Sequence, residues 1–314
     1  MNKNMEHTIW AERYRPTSLD DLVFPEKLRK KVQEWIDSGE IPHIGIFGNI
    51  PGTGKSSLLS VLIDSLKTDT LWVNGSKNNG IDSIRGEISG FASNVAVTGN
   101  IKLICMDEAD YLTIPAQSTL RSDLELYAKN ARFAFTGNYP DKIIPPLMQR
   151  LQVFDLDKIY QENKKELGGQ IFKRLTDILN EENVKHDARD VMAVVKTFYP
   201  STREMLMFME QNTVENVLNV DDLEKADNVY TDLIEAMKQR KFKGVRNAVS
   251  DIIIPDNFYT WMWKNLDLFK LPSQPQIIML LAEFQDKSMR ATNKQIPLAA
   301  MLVNIIQDSD IEFV

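Results

Sequence analysis

Residues 48–57 read GNIPGTGKSS, a glycine-rich run that connects an apolar stretch to an amphipathic one. Residues 43–47 have the pattern of a buried strand, and leucine and isoleucine recur on one helical face of residues 58–66. A strand, a glycine-rich turn and a helix in this order predict a phosphate-binding loop, because backbone N–H groups and the helix N-terminus attract a triphosphate. Lys55 would reach the β- and γ-phosphates, and Ser56 would bind Mg²⁺. An ordinary strand-to-helix turn is the alternative, which the GTGKS run disfavours.

Position 49 differs from the usual form of this loop, which has glycine there. Asn49 occupies the position, and asparagine tolerates a positive φ better than most other residues. We therefore expect the loop to form and to bind ATP. The loop residues predicted to contact the nucleotide are Asn49, Pro51, Gly52, Thr53, Gly54, Lys55, Ser56 and Ser57.

Composition and charge narrow the class of protein. The 314 residues suit two or three domains, and 43% apolar with 26% charged residues is typical of a soluble globular chain. We recognise no membrane-spanning run and no signal peptide, so we expect a cytoplasmic protein without a membrane partner. Cys105 is the only cysteine, which excludes an internal disulfide framework and a cysteine-based zinc site. Because the net charge is −7, any DNA contact should use a local patch assembled from several subunits.

Two acidic residues follow the apolar strand pattern of residues 101–106. Asp107 is placed to hold the Mg²⁺ shell, and Glu108 to orient or deprotonate an attacking water molecule. A charge pair at a helix N-terminus is the alternative. One strand–helix unit separates this pair from the strand and helix that flank the Lys55 loop, and this spacing favours the catalytic interpretation.

The next strand pattern, residues 131–136, is followed by Asn138. At the carboxyl edge of an open α/β sheet, this amide would orient the hydrolytic water; alternatively, asparagine is there to favour the turn before Pro140. Strands alternate with helices throughout residues 40–156, which predicts a parallel sheet flanked by helices.

From Asp157 onward the patterns are helical only. The chain therefore divides into an α/β domain over residues 1–157 and two all-α domains over 158–226 and 227–314. Helices are predicted over 161–182, 187–198 and 201–218 and, after a polar boundary at 219–227, over 228–240, 243–253, 256–268, 273–287 and 293–307.

Several motifs resemble those of one ATPase family. Residues 10–16 read WAERYRP, residues 73–76 and 80–85 read VNGS and GIDSIR, and residues 116–121 read AQSTLR. They resemble conserved segments of the sliding-clamp loaders, a branch of the AAA+ ATPases that includes the replication factor C small subunits. The short C-terminal helical group is most similar to that of the large clamp-loader subunits of T4-like bacteriophages. The resemblance covers nearly the whole chain and implies a P-loop AAA+ domain, an all-α lid and an all-α collar.

The resemblance implies a role for each matching position, with ATP and Mg²⁺ as cofactors. Lys55 and Ser56 match Walker A, Asp107 and Glu108 match Walker B, Asn138 matches sensor 1, and Arg203 matches the lid arginine called sensor 2. A solvated helix residue is the alternative for Arg203.

Arg150 lies where the family has the arginine of its Ser-Arg-Cys motif, which acts in trans on the ATP of the neighbouring subunit. Residues 149–151 read QRL, so the flanking residues are lost and the arginine is kept. Arg150 is expected near the far edge of the sheet from Lys55, which favours action in trans and implies a ring or spiral of subunits. A surface arginine that closes the last strand is the alternative.

Aromatic and charged residues precede the phosphate-binding loop and would surround an adenine base. The candidates are Glu12, Tyr14, Arg15 and Val23. A terminal arm that simply packs on the core is the alternative.

The resemblance also implies a DNA-contacting segment within residues 76–85. Its candidate DNA-binding residues are Ser76, Lys77, Gly80, Ile81 and Arg85. A solvated loop and helix face is the alternative. Gln117 matches a position proposed to couple DNA contact to the ATP site. Clamp contact is expected from residues 111–115 and from the helix after Val73.

The sequence thus predicts an ATP-hydrolysing subunit of a sliding-clamp loader. Its expected partners are a ring-shaped clamp, primer–template DNA, further copies of itself and a small subunit in a pentameric spiral. For a phage-encoded protein the compartment would be the host cytoplasm. The alternatives are another DNA-associated AAA+ ATPase, such as a helicase loader or branch-migration motor, and a structural clamp-loader subunit that binds nucleotide without hydrolysing it.

Overall fold

The computed structural model describes residues 9–77, 80–94, 101–252 and 255–314. The chain divides after Asn219 into two compact units. The first unit contains the α/β sheet and the helices that follow it, and the second is helical. None of the helices in the described residues combines the length and apolar character needed to cross a membrane.

A five-stranded parallel sheet forms the core of the first unit, which confirms the predicted fold class. Phe47 pairs in register with Gly137 on one side and with Asp155 on the other, so these strands end level with one another. The strand that precedes the phosphate-binding loop is buried along its whole length because helices cover both faces of a parallel sheet. The strands are β1 (Ile44–Phe47), β2 (Thr70–Asn74), β3 (Lys102–Asp107), β4 (Ala131–Gly137) and β5 (Gln152–Asp155), in the order β2-β3-β4-β1-β5.

Two of the helices predicted for the first unit differ from those in the structure. The predicted helix over residues 161–182 is two helices that meet at Asn163. Gly39 ends the helix Glu26–Ser38 in the left-handed conformation with φ of 68°. The helices are α1 (Trp10–Arg13), α2 (Glu26–Ser38), α3 (Lys55–Leu66), α4 (Ile81–Ser93), α5 (Ile114–Leu126), α6 (Pro145–Met148), α7 (Leu156–Glu162), α8 (Lys164–Glu181), α9 (Ala188–Phe198) and α10 (Thr202–Gln211).

The helix predicted over residues 201–218 is too long. It ends at Gln211, and a short antiparallel hairpin of β6 (Thr213–Val214) and β7 (Val217–Leu218) follows. The two turn residues, Glu215 and Asn216, both have positive φ, which is the backbone of a tight hairpin turn. Such turns usually contain glycine, so their sequence signal is absent here.

Within its described residues, the second unit contains five α-helices around one apolar core. The helix predicted to begin at residue 228 begins at Asp221, so most of the polar segment 219–227 belongs to its first two turns. The helices are α11 (Asp221–Lys238), α12 (Phe242–Asp251), α13 (Pro255–Lys264), α14 (Gln274–Arg290) and α15 (Gln295–Gln307).

Candidate active site

A cleft in the first unit opens at the carboxyl ends of β1, β3 and β4. Parallel strands place the residues that follow them at one edge of the sheet, where α/β proteins bind ligands. The predicted site residues that line this cleft are Glu12, Tyr14, Arg15, Val23, Pro51, Gly52, Thr53, Gly54, Lys55, Ser56, Ser57, Asp107, Glu108, Asn138 and Arg203.

The glycine-rich loop owes its shape to two left-handed glycines. Gly52 has φ of 74° and Gly54 has φ of 92°, and Gly54 directly precedes α3. A Cβ atom on Gly52 would lie 2.5 Å from the hydroxyl oxygen of Ser201, so only glycine fits there. The Lys55 ammonium donates to the carbonyl oxygens of Gly48 (2.8 Å) and Ile50 (2.9 Å).

The ammonium of Lys55 lies in a mixed electrostatic environment. Burial lowers the pKa of Lys55, and the nearby carboxylates of Asp157 and Asp110 partly oppose that shift. Burial also leaves the Lys55 ammonium with limited hydration, so phosphate oxygens can bind it directly.

The loop accommodates Asn49 for a different reason from the predicted tolerance of a positive φ. Asn49 is absent from the residues with positive φ, so the loop does not need a left-handed backbone at this position. Its N–H instead donates to Oδ2 of Asp157 at 2.6 Å, and Asn49 is not among the residues that line the cleft. Asp157 therefore anchors the start of the loop.

Ser56 and Asp107 lie together at the cleft. The Ser56 hydroxyl donates to Oδ1 of Asp107 at 3.2 Å, and the Thr136 hydroxyl donates to the same oxygen. Mg²⁺ is usually held by one or two carboxylates together with substrate phosphates. This hydroxyl–carboxylate pair beside a phosphate-binding loop fits such an ion.

Glu108 follows β3 in an unusual backbone conformation. Its φ of 55° and ψ of 44° are left-handed, and the short 3₁₀ helix Ala109–Tyr111 begins directly after it. A Cβ atom on Gly75 would lie 2.5 Å from the Glu108 carbonyl oxygen, so the end of β2 packs closely on this turn. Half-buried Glu108 and Asn138 thus both lie at the cleft, after neighbouring strands.

Sequence reasoning missed several residues of the cleft, among them Tyr160 and Arg174. The buried Tyr160 hydroxyl lies 3.1 Å from the Thr53 carbonyl oxygen and 3.2 Å from that of Val23. Arg174 donates to the Tyr14 carbonyl oxygen at 2.9 Å and thereby fastens the N-terminal arm to α8. In the sequence both are ordinary polar members of amphipathic helices, so no motif signals their role.

Comparisons with known proteins agree with this geometry. A model of the ATPase family associated with various cellular activities (AAA) matches residues 46–158. The chain is 30% identical over 248 residues to the sliding-clamp-loader large subunit of Escherichia phage RB69, which covers 77% of each chain. The chain belongs to the sliding-clamp-loader family. The large subunit of Enterobacteria phage T4 is 29% identical over 313 residues, covering 96% of this chain and 97% of the T4 protein.

Membership of the clamp-loader family confirms the resemblance inferred from the motifs. As an AAA ATPase, the protein binds nucleotide together with a metal ion. A variant of Thermotoga maritima RuvB superposes with a TM-score of 0.51 at 15% identity, covering 71% of this chain and 79% of that one. At that identity the similarity shows a shared fold alone and does not favour a branch-migration motor.

Arg150 does not line the cleft of its own chain. Its Nε and Nη2 donate to Oε1 of Glu125 at 2.8 and 2.5 Å, and its Nη1 donates to the Pro146 carbonyl oxygen at 2.7 Å. Arg203, by contrast, is exposed at the second position of α10 and lines the cleft.

The candidate DNA-binding residues of this clamp-loader chain lie in the turn after β2 and on α4. Ser76 and Lys77 are exposed, and both donate backbone N–H groups to the Asn74 side-chain oxygen, at 2.9 and 3.2 Å. Arg85 is exposed on α4, which begins directly after Gly80. The side chain of the remaining candidate, Ile81, lies outside the described residues.

Gln117 is only 1% exposed and bridges two loops with its side-chain amide. Its Nε2 donates to the carbonyl oxygens of Leu112 (3.1 Å) and Lys142 (3.0 Å). Its Oε1 accepts from the Ile144 N–H at 2.8 Å. The amide therefore ties the segment after Glu108 to the segment after Asn138.

Proposed function

We propose that this chain is an ATP-hydrolysing subunit of a DNA polymerase sliding-clamp loader, stimulated by the clamp and by primer–template DNA. The observation that carries the proposal is one cleft that contains Lys55, Asp107 and Glu108, in a chain of the clamp-loader family. The near-complete match to the T4 large subunit, including the helical C-terminal part, supports it.

The loop binds the triphosphate of ATP. Backbone N–H groups at the start of α3 would donate to the phosphates, and Lys55 would exchange its two carbonyl acceptors for charged phosphate oxygens. Ser56 and Asp107 would hold Mg²⁺, which would supply positive charge to the phosphates.

Hydrolysis needs a positioned water molecule and a proton acceptor. Glu108 takes the proton as general base, and the Asn138 amide orients the water. Arg203 contributes a positive charge from α10. ATP binding would tighten the assembly around an open clamp, and DNA-triggered hydrolysis would release the clamp on DNA.

The remaining residues act between subunits and on DNA. Arg150 completes the site of a neighbouring subunit in a pentameric spiral that contains further copies of this chain and a small subunit. Arg85 and the turn that contains Lys77 contact the DNA backbone, which positions the duplex without reading its sequence. Gln117 couples that contact to the ATP site, and residues 111–115 face the clamp.

The proposed spiral uses three parts of the chain in a cytoplasmic protein. Residues 1–157 bind nucleotide, residues 158–226 form the lid, and residues 227–314 form the collar through which subunits associate. The described helices of the second unit, packed around one apolar core, support a separate role for the last part.

Glu108→Gln tests the proposal, with turnover measured with and without a ring clamp and primed DNA. The variant should bind ATP, clamp and DNA but hydrolyse ATP at least ~10²-fold more slowly, because it lacks the general base. Glu40→Gln, the same change at an exposed site outside the cleft, is the control. Normal turnover by Glu108→Gln would show that Glu108 is not the general base. Wild-type turnover that clamp and DNA leave unchanged would refute the clamp-loader function.

A further inference from the structure

The carboxylate of Asp110 is buried between the ends of two strands that carry the site. Asp110 is 5% exposed and sits in the middle of the 3₁₀ helix Ala109–Tyr111. The left-handed backbone of Glu108 reverses the chain at this point, so that the carboxylate reaches the end of β4. Asp110 thus follows Glu108 by two residues and contacts the strand that carries Asn138.

One oxygen of this carboxylate holds the backbone of Asn138. The Asn138 N–H donates to Oδ1 of Asp110 at 3.3 Å. A Cβ atom on Gly137 would lie 2.6 Å from the same oxygen, so the absence of a side chain at 137 is what lets the carboxylate approach. The two positions are therefore sterically matched.

The other oxygen is not explained by folding. Oδ2 of Asp110 is buried and has no hydrogen-bond partner among the described residues. Leaving a buried carboxylate oxygen without a partner costs free energy. Asp123 has the same feature outside the cleft, so the inference for Asp110 rests on the contact of its other oxygen with Asn138. The charge of Asp110 also favours the protonated form of Lys55, which places the carboxylate close to the catalytic groups.

We propose that Asp110 is a positioning residue for ATP hydrolysis, which fixes the Asn138 backbone relative to Glu108. The inference rests on the proposed role of Asn138 in orienting the hydrolytic water. It goes beyond that role, because none of the motifs assigns a function to Asp110. Since misplacing a catalytic group by about 1 Å can cost ~10²-fold in rate, loss of this contact should lower kcat.

Loss of the Asp110 carboxylate should lower kcat rather than nucleotide affinity. Oδ1 of Asp110 contacts Asn138, directly after β4, and not the phosphate-binding loop. Asp110→Asn keeps an oxygen acceptor for the Asn138 N–H and removes only the charge. Asp110→Ala removes both. The pair of variants therefore separates positioning of Asn138 from attraction of the Lys55 ammonium.

The experiment uses the full-length protein in its ATP-hydrolysing assembly. Steady-state turnover of Mg–ATP gives kcat, and a fluorescent ATP analogue gives the dissociation constant. Asp110→Ala should lower kcat by ~10²-fold with the dissociation constant within about threefold of wild type, and Asp110→Asn should recover most of kcat. If Asp110 acts through Asn138, Asp110→Ala should add no further loss to Asn138→Ala.

Asp123→Ala is a matched control, since Asp123 is 8% exposed and also has a buried oxygen without a partner. It lies on α5 outside the cleft, so kcat should not change. Should Asp110→Ala fail to fold, Gly137→Ala, whose Cβ displaces the carboxylate, should show the same loss of kcat.

Three results would overturn the inference. The first is a normal kcat in Asp110→Ala. The second is a double variant, Asp110→Ala with Asn138→Ala, whose loss of kcat is the sum of the two single losses. The third is an equal loss of kcat in Asp110→Asn and Asp110→Ala, accompanied by weaker nucleotide binding. Normal turnover by Asn138→Ala would overturn the proposed role of Asn138 and the positioning inference with it. Slow Asn138→Ala with normal Asp110→Ala would overturn the positioning inference alone.

Discussion

Tyr160→Phe isolates one hydroxyl that the structure places under the phosphate-binding loop. The hydroxyl is buried and lies 3.1 Å from the Thr53 carbonyl oxygen and 3.2 Å from that of Val23. Phenylalanine keeps the ring and its edge-to-face contact with Tyr199, whose ring centre is 5.9 Å away. Only the hydrogen bond is removed.

Burial of the Tyr160 hydroxyl determines how much stability Tyr160→Phe should lose. A hydrogen bond contributes ~0.5–1.5 kcal/mol net, and leaving a buried carbonyl group unsatisfied costs ~1–3 kcal/mol. We expect the free energy of unfolding of Tyr160→Phe to fall by ~1–3 kcal/mol. Because Thr53 belongs to the loop whose N–H groups are proposed to bind phosphate, a loss of ~1.4 kcal/mol expressed at the loop would weaken nucleotide binding about tenfold.

Denaturant unfolding and titration with a fluorescent nucleotide measure the two effects. Tyr199→Phe is the matched control, because the Tyr199 hydroxyl donates to the Tyr160 carbonyl oxygen at 2.7 Å and touches no loop carbonyl. The control should lose stability and keep its nucleotide affinity. The reasoning fails if Tyr160→Phe has normal stability and affinity, or if Tyr199→Phe weakens binding equally.

Arg150→Ala should leave nucleotide binding unchanged and lower DNA-stimulated hydrolysis by ~10³-fold or more, because Arg150 does not line the nucleotide cleft of its own chain and is proposed to complete that of a neighbour. An active assembly of Arg150→Ala subunits would contradict action in trans. Burial, aided by Arg132, lowers the pKa of His43 to about 4, and its Nδ1 accepts the Phe133 N–H at 3.0 Å. As pH falls, the His43 imidazole is therefore protonated in the unfolded chain before it is protonated in the folded chain. The free energy of unfolding decreases as pH drops from about 6.5 to about 4. His43→Gln should flatten that slope by at most ~1.4 kcal/mol per pH unit in denaturant unfolding, and an unchanged slope would contradict the neutral imidazole.

The central arrangement of the site could be predicted because it depends on short sequence segments and one topological rule. Asp107 and Asn138 lie just beyond apolar strand patterns, and Lys55 lies at the end of the glycine-rich loop that follows a third. In a parallel sheet such positions share one edge whatever the strand order, so their convergence needs no tertiary detail. The family motifs extended the prediction to Arg203, which also lines the cleft.

Features that depend on long-range packing or on unusual backbone were not predictable. The bond between Tyr160 and Thr53 joins residues 107 positions apart, and no local pattern brings them together. The turn at Glu215 and Asn216 uses left-handed residues other than glycine, which removes the usual signal for a hairpin. The same limit applies to Asn49, where the anchor is the distant carboxylate of Asp157.

The loop is anchored at three points by the segment that follows the sheet. Asp157 accepts the Asn49 N–H, Tyr160 lies against the Thr53 carbonyl oxygen, and Ser201 occupies the space next to Gly52. Two anchors belong to α7, and the third directly precedes α10, which carries Arg203. A nucleotide that reshapes the loop must therefore change the energy of placing these helices, and their placement must change nucleotide affinity to the same extent. The nucleotide affinity of Tyr160→Phe measures this link directly, since that variant alters one anchor and leaves every phosphate-binding group in place.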